Sequence, residues 1–410
     1  MSSIERFVYD RVKNNPEIKQ LLKFVYQATF SVQGRWREKR PDRMTIKRGA
    51  FFGFHDKSPW SDDNSLLIAH RTQGVGNENE SELGRIDLMC FEGSDWTSEA
   101  KIGSTSAWNW QQGSQLQWLH PGGDVIFNDF VDGVNVARVV SKSGKERCVL
   151  DYPIGAVSSA RNVVASFCFE RFGRSMQGYG YDFGGGRVSP INGDVFLVLD
   201  TNSEIHNAVE GADVDQWLPE NQGGFFSHAI FSPSGNKVAF MRRFYEKKKR
   251  LRSHLFVLDL HTNVIQKVPF TGMVSHYTWI GEDKVLAYAS CIHDGFFIYD
   301  LDTKQCAELS NLMGTYDGHP HAASGGKLLV FDKYPNRNRL KALSLLNLET
   351  EVRRELGTFF LPMKFWAEKR VDLHPRISKD GRFVCVDLVD GGRRSLGLIA
   401  VDDWAGAKAK

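Results

Sequence analysis

Four of the twelve histidines stand in one register. His228, His276, His319 and His374 each lie seven residues before a turn residue (Gly235, Asp283, Gly326 and Gly381) in HAIFSPSGNKVAF, HYTWIGEDKVLAY, HPHAASGGKLLV and HPRISKDGRFVCV. His321 follows His319 by two residues, which puts both on one face of an extended strand. His55, in FHDKSPWSDDNS, is offset from this register by about two residues with matching parity. The corresponding stretch WNWQQGSQLQW has no histidine and supplies Gln111, Gln112 and Gln115. Neutral imidazoles brought together can ligate Mn, Fe, Ni or Zn, and a His-X-His strand offers two ligands to one ion. One imidazole can instead act as a general base or acid, or brace a neighbouring loop of a repeat.

The elements that must position these groups are short strands. SLLIAH, GDVIFNDF, NVVASF, NKVAFMRR, DKVLAYAS, GKLLVFD and GRFVCVDL are of strand-forming type, and a Gly/Asp/Asn/Ser turn cluster precedes each. Seven copies of one pattern indicate a radial array, each unit a four-stranded antiparallel meander. The expected fold is therefore all-β: a seven-bladed β-propeller over 44–410, with six or eight blades as alternatives, and a short N-terminal helical extension over 1–43. Pairing of a strand near 44–52 with the last blade (SLGLIAVDD) is expected to close the ring and remove exposed sheet edges. In the extension, Ile4, Phe7, Val8 and Val12, then Leu21, Leu22, Val25 and Tyr26, have helical spacing, and Pro16 is expected to divide it into two helices. Its basic flank allows peripheral membrane contact; a helical cap packed on the propeller is the favoured reading.

In such a ring the innermost strands line a channel, and the histidine register falls at one mouth of it. Loops after each second strand reach the same mouth and carry His70, Arg71, Asp129, Arg171, Arg174, Arg242, Arg243, His293, Asp294, Lys333, Arg393 and Arg394. Convergent polar groups in a concave site are the default active-site expectation. One segment, CFERFGRSMQGYGYDFGGGRVSP (168–190), breaks the period. Its Arg171, Arg174, Tyr179 and Tyr181 suit an anionic ring-shaped ligand, since guanidinium forks match carboxylates and tyrosine faces stack on sugars. EKKKRLR (246–252) is read as a solvated outer loop.

Composition narrows the function classes. Lys plus Arg total 52 against 49 Asp plus Glu, a formal charge of +3, so no nucleic acid is expected as partner. No apolar run is long enough for a transmembrane helix, and MSSIERFVYDRVKNN lacks a signal peptide's apolar region. The six cysteines have no CxxC spacing, which suggests reduced thiols and a cytoplasmic setting.

FSPSGNKVAF and ISKDGRFVCVD resemble TolB-like propeller repeats, a likeness that extends over most of 45–403. YDGHPHAASGGKLLVFDKYP followed by RVDLHPRISKDGRF is similar to the oligogalacturonate lyases, cytoplasmic seven-bladed propellers that cleave short pectic uronides. The resemblance implies a divalent metal, typically Mn²⁺, held by a His-X-His pair, a Gln three residues upstream and a His from an earlier blade. His319 and His321 match the pair; His276 is the candidate for the earlier ligand, at a shorter spacing to the pair, and Tyr316 stands in the glutamine's place. The implied chemistry is β-elimination on a uronate-containing oligosaccharide: His228 as base, Arg171 or Arg242 on the carboxylate, and Tyr179 or Tyr181 as acid. His55, Gln111, Gln112, Arg174, Arg242 and His374 are expected to bind substrate. The competing expectations are a non-catalytic propeller that binds a glycan or protein partner, and an enzyme of surface-polysaccharide assembly with other chemistry.

Overall fold

A computed structural model of the chain describes residues 16–72, 84–92, 96–119, 123–158, 160–218, 223–246 and 250–401, the side chains of 16–23 and 25 excepted. Its 28 strands form seven four-stranded antiparallel sheets arranged as a seven-bladed propeller. Six blades use consecutive strands: β2–β5 (residues 50–105), β6–β9 (117–150), β10–β13 (156–210), β14–β17 (225–267), β18–β21 (274–308) and β22–β25 (320–360). The seventh combines β26 (Arg376–Ile377), β27 (Phe383–Asp390) and β28 (Arg393–Ala400) with β1 (Met44–Arg48) from the other end of the chain.

Ring closure divides the expected 44–52 strand in two. Gly49, at φ +74°, separates β1 from β2 (Ala50–Phe51). β1 runs against β28, Met44 opposite Ile399 and Arg48 opposite Ser395, while β2 opens the first blade against β3 (Leu66–Arg71). Arg40 and Arg48 both bind Asp390 at 2.6 Å and fasten the join.

The second strand of each blade is buried on both faces because neighbouring blades cover it. β15 (Lys237–Tyr245) and β27 are buried through nearly their whole length. This explains the continuous apolar runs in place of strict alternation. The outermost strands β9 (Glu146–Leu150) and β21 (Cys306–Glu308) are largely exposed. The turns are tight for a packing reason: Gly235 has φ +74°, and a Cβ there would lie 2.1 Å from Ser158 Oγ of the preceding blade.

Helix α1 (Pro16–Gly34) starts at the proline that was expected to separate two helices; the apolar positions Ile4 to Val12 lie outside the described residues. The helix packs on the propeller. Gln27 Oε1 accepts from Arg339 Nη1 at 2.9 Å, and Phe24 meets Trp366 edge-on. Among the described residues, no helix is long and apolar enough to cross a membrane.

Candidate functional site

The strand pairings define one equivalent position in every blade, two residues before the innermost-strand residue that faces the third residue of the second strand. From the first blade to the seventh it holds Lys57, Gln115, Ile154, His228, His276, His319 and His374. Six of the seven are polar, so an extended core strand is not what this register builds. Gln115, His228 and His374 adopt left-handed φ of +57°, +53° and +40°. Such angles are unfavourable for residues with a Cβ. At His228 the kink coincides with a register shift between Ser227 and Ile230, and the buried Tyr277 hydroxyl donates to the His228 carbonyl that the shift frees.

These kinks and strand ends gather five imidazoles around Phe54. Its ring centroid lies 4.7 Å from His55 and His228, 4.9 Å from His374, and 5.9 Å from His276 and His319. His319 is central: 4.1 Å from His276, 4.4 Å from His374 and 5.3 Å from His55. All five are at most 5% exposed.

Hydrogen bonds fix how the rings are presented. His319 Nδ1 lies 2.9 Å from Asp332 Oδ1, and His276 Nδ1 lies 3.1 Å from Asp317 Oδ1. Each ring therefore donates from Nδ1 and turns an Nε2 lone pair outward. His55 Nδ1 faces the Pro320 carbonyl at 2.8 Å, and its Nε2 is buried without a partner. His374 Nε2 and His228 Nδ1 are likewise buried and have no hydrogen-bond partner among the described residues. Burial, reinforced by neighbouring imidazoles and cations, pushes His55, His228 and His374 well below the usual histidine range. At His319 burial also opposes charge, but the carboxylates of Asp332, Asp372 and Asp317 together outweigh it and the net shift is upward.

His319, Asp372 and His374 offer ligand atoms within 4.8 Å of one another, all three buried. Two imidazoles and a carboxylate suit a divalent first-row metal such as Mn²⁺. The orphaned Nε2 of His374 and the Asp332-oriented His319 fit that use. Burial raises the cost of ionising Asp372, but Arg370, whose Nε is 2.6 Å away, and His319 hold its pKa below the ordinary value.

One cation at this mouth lacks an acid. Arg243 is 5% exposed, and its Nη atoms contact Met176 and Met241 sulfurs at 3.0 and 3.1 Å and the Ser275 carbonyl at 3.5 Å. Its Nε has no hydrogen-bond partner among the described residues. No carboxylate pairs with it among the described residues, and burial lowers its pKa.

The remaining sequence candidates are placed as follows. His321 accepts from the Ile377 amide at 3.3 Å, facing the next blade, and burial followed by Arg376 lowers it to about 3. Tyr179 belongs to the mouth: its ring is 5.7 Å from His228, and its hydroxyl accepts from Arg370 Nη2 at 2.9 Å. Gly180 turns the chain there at φ +65°, so close to Gly173 that a Cβ would be 2.6 Å from its Cα. Tyr181 points into an aromatic core, stacked on Phe169, and its hydroxyl accepts from Asn128. Gln111 donates to the Glu368 and Arg370 carbonyls, and the Oε1 atoms of Gln111 and Gln112 are buried without partners. Arg242 is fully buried between Asp194 and Asp215. Arg171 donates to the Gly224 carbonyl and lies 3.5 Å from Asp194. Arg174 pairs with Glu170 on the surface. Several expected mouth residues serve the blades instead: His70 bonds Ser114, Asp129 takes Arg85 and Arg138, and His293 meets Glu308.

Sequence reasoning did not single out Phe54, Asp317, Asp332, Asp372 or Tyr334 as site residues. Asp372 precedes His374 by two residues, and Asp332 stands across the strand pair from His319. Parity and pairing were the available signals.

Fold and mouth together define a seven-bladed propeller with a histidine-lined end. No family model matches the chain, and no curated protein matches it in sequence. Solved structures share its fold. An oligogalacturonate lyase in complex with manganese superposes with a TM-score of 0.60 at 11% identity, covering 90% of this chain and 95% of its own. The oligogalacturonate lyase of Vibrio parahaemolyticus gives 0.57 at 10%, covering 89% and 99%. The β-propeller domain of Cps50 (Swd1) from Myceliophteria thermophila gives 0.51 at 11%, covering 87% and 99%.

Proposed function

We propose that the protein is a metal-dependent lyase that cleaves a uronate-containing oligosaccharide by β-elimination. The observation that carries this reading is that a buried arginine with no acid partner among the described residues, Arg243, reaches the carbonyl of Ser275, next to His276, whose ring lies 4.1 Å from His319 of the His–Asp–His ligand trio. Elimination next to a carboxylate needs that carboxylate neutralised as charge develops on it. Arg243 is suited to this task; Arg242, saturated by two aspartates, and Arg174, on the surface, are not.

His319, Asp372 and His374 would hold the metal, with His276 beside them. Bound there, a divalent ion would supply Lewis-acid stabilisation to the uronate carboxylate. His228 is neutral, with a free Nδ1, and is the base for the proton beside the carboxylate. Tyr179, fixed by Arg370, donates a proton to the departing sugar oxygen. Tyr334, 5.3 Å from His319, offers its hydroxyl as a second donor. Gln111 and Gln112 offer amide oxygens to sugar hydroxyls.

The test is incubation with oligogalacturonides and Mn²⁺ after chelator treatment, following the ultraviolet absorbance of the conjugated product. The expected result is metal-dependent absorbance that Arg243→Gln and His374→Ala abolish. Absence of product from every uronide tried, together with absence of metal binding, overturns the proposal.

A further inference from the structure

The two sides of helix α1 differ in what they meet. Gln27, Ser31 and Gly34 are buried on its inner side. A Cβ at Gly34 would lie 2.0 Å from the Asn338 carbonyl oxygen, so glycine is what allows the helix to close on the propeller there. Asn338 belongs to the turn between β23 (Leu328–Asp332) and β24 (Leu340–Asn347), and β23 ends with Asp332, the partner of His319. The C-terminal part of α1 is therefore fastened to the rim at the histidine end of the ring.

At 100° per residue, the direction opposite Gln27, Ser31 and Gly34 is taken by Val32 and, on the 3₁₀ turn that continues the helix (Arg35–Arg37), by Trp36. Val32 is 71% exposed and Trp36 88%, with Phe24, 42% exposed, at the edge of the same side. An indole this open, one turn from a second large apolar side chain, suits a boundary that is apolar on one side and wet on the other.

Charge is concentrated at the same place. RWREKRPDR (35–43) holds five cations and two acids, a net +3, as large as that of the whole chain. Arg35, Arg37, Lys39 and Arg43 are exposed. Glu38 is taken by Arg40 at 3.1 Å, and neither Arg35 nor Arg37 pairs with an acid among the described residues. A second copy seated on this surface by a two-fold axis would bring like charges together, which disfavours self-association. An anionic lipid surface complements both features, since phosphates meet the cations and the headgroup layer takes the aromatic and aliphatic side chains.

We propose that the outer side of α1 docks the protein on an anionic phospholipid surface. Trp36 and Val32 enter the headgroup layer, and Arg35, Arg37 and Lys39 meet the phosphates. Docking through this rim brings the histidine end of the propeller to the membrane surface. The proposal does not rest on the lyase reading, because it uses no residue of the mouth.

The test sediments the full chain with vesicles of phosphatidylcholine alone or with about one-third phosphatidylglycerol. The expected result is saturable binding to the anionic vesicles only, reversed by about 0.5 M NaCl. The double variant Arg35→Gln/Arg37→Gln is expected to bind more weakly by about 5-fold for each arginine removed. Lys327→Gln, an exposed cation elsewhere on the chain, should bind as the parent does. Brominated phosphatidylcholine in the anionic vesicles should quench part of the tryptophan fluorescence, and Trp36→Phe should remove that part. These positions are exposed, so circular dichroism and thermal melting of the variants should match the parent. Absence of binding to anionic vesicles, equal binding to phosphatidylcholine alone, or unchanged binding in the double arginine variant overturns the proposal. So does retention of the protein by polygalacturonate, or a dimer, that Trp36→Ala abolishes while vesicles bind nothing.

Discussion

His319 and Asp332 face each other across the first two strands of the sixth blade, Nδ1 to Oδ1 2.9 Å, both almost fully buried. The same carboxylate oxygen also accepts from the His319 amide at 2.7 Å. Backbone and ring are thus held by one acid, which fixes the tautomer and leaves Nε2 as the ring's acceptor nitrogen. Partners of this kind are worth 10- to 100-fold in metal affinity. Asp332→Asn is expected to weaken Mn²⁺ binding by roughly that factor, measured by electron paramagnetic resonance of free Mn²⁺. Unchanged affinity would show that His319 is not a ligand.

Acidification separates the imidazoles. A metal ligand must be unprotonated, so binding is lost as pH falls through the pKa of the most basic ligand. His374 is held well below the ordinary range and stays neutral, whereas Asp332 raises His319 above the ordinary 6.5. Mn²⁺ affinity is therefore expected to fall as pH drops through the raised His319 value. In Asp332→Asn the edge should move to lower pH, because the group that stabilises the imidazolium is gone. Titrations of Mn²⁺ binding against pH in both proteins check the direction.

How far the sequence discloses this molecule depends on burial. Second strands such as β27 are covered on both faces and read as continuous apolar runs, which is why seven blades can be counted from seven turn-plus-strand units. Outer strands such as β21 are exposed and short and leave little apolar pattern. The histidine register is legible because repetition places it at equivalent strand entries. Asp332 and Asp372 are not, because their roles depend on strand pairing and on the fold of a non-repeating segment. Arg242 and Arg243 show the same limit: neighbours on one strand point to opposite faces, and only the structure tells which one finds two aspartates and which one finds none.

The left-handed turn at His228 predicts an inverted substitution pattern. With φ +53°, any Cβ is strained there, whereas glycine is not. His228→Gly is expected to be more stable than His228→Ala by about 1 kcal/mol. His276 fills the equivalent position in the next blade without a positive φ, so Ala should match or exceed Gly there. Urea unfolding of the four variants decides the point; equal stability of His228→Gly and His228→Ala would remove the strain argument.

Adjacent arginines should separate stability from binding. Arg242 is fully buried and bidentate to Asp194 and to Asp215, at 2.6 to 2.8 Å. Removing it leaves two partly buried carboxylates facing each other, and Arg242→Met is expected to cost about 3–5 kcal/mol of folding stability. Arg243 has no acid to abandon, and two of its contacts are thioether sulfurs, so Arg243→Met should shift stability by no more than about 1 kcal/mol. Binding should respond in the opposite sense: uronate affinity is lost in Arg243→Met and is kept in Arg242→Met at temperatures where that variant is still folded. Urea melts and uronate calorimetry on the two proteins give both readings. If Arg243→Met proved the more destabilised, its guanidinium would be a structural element of the mouth and not the group that receives a substrate carboxylate.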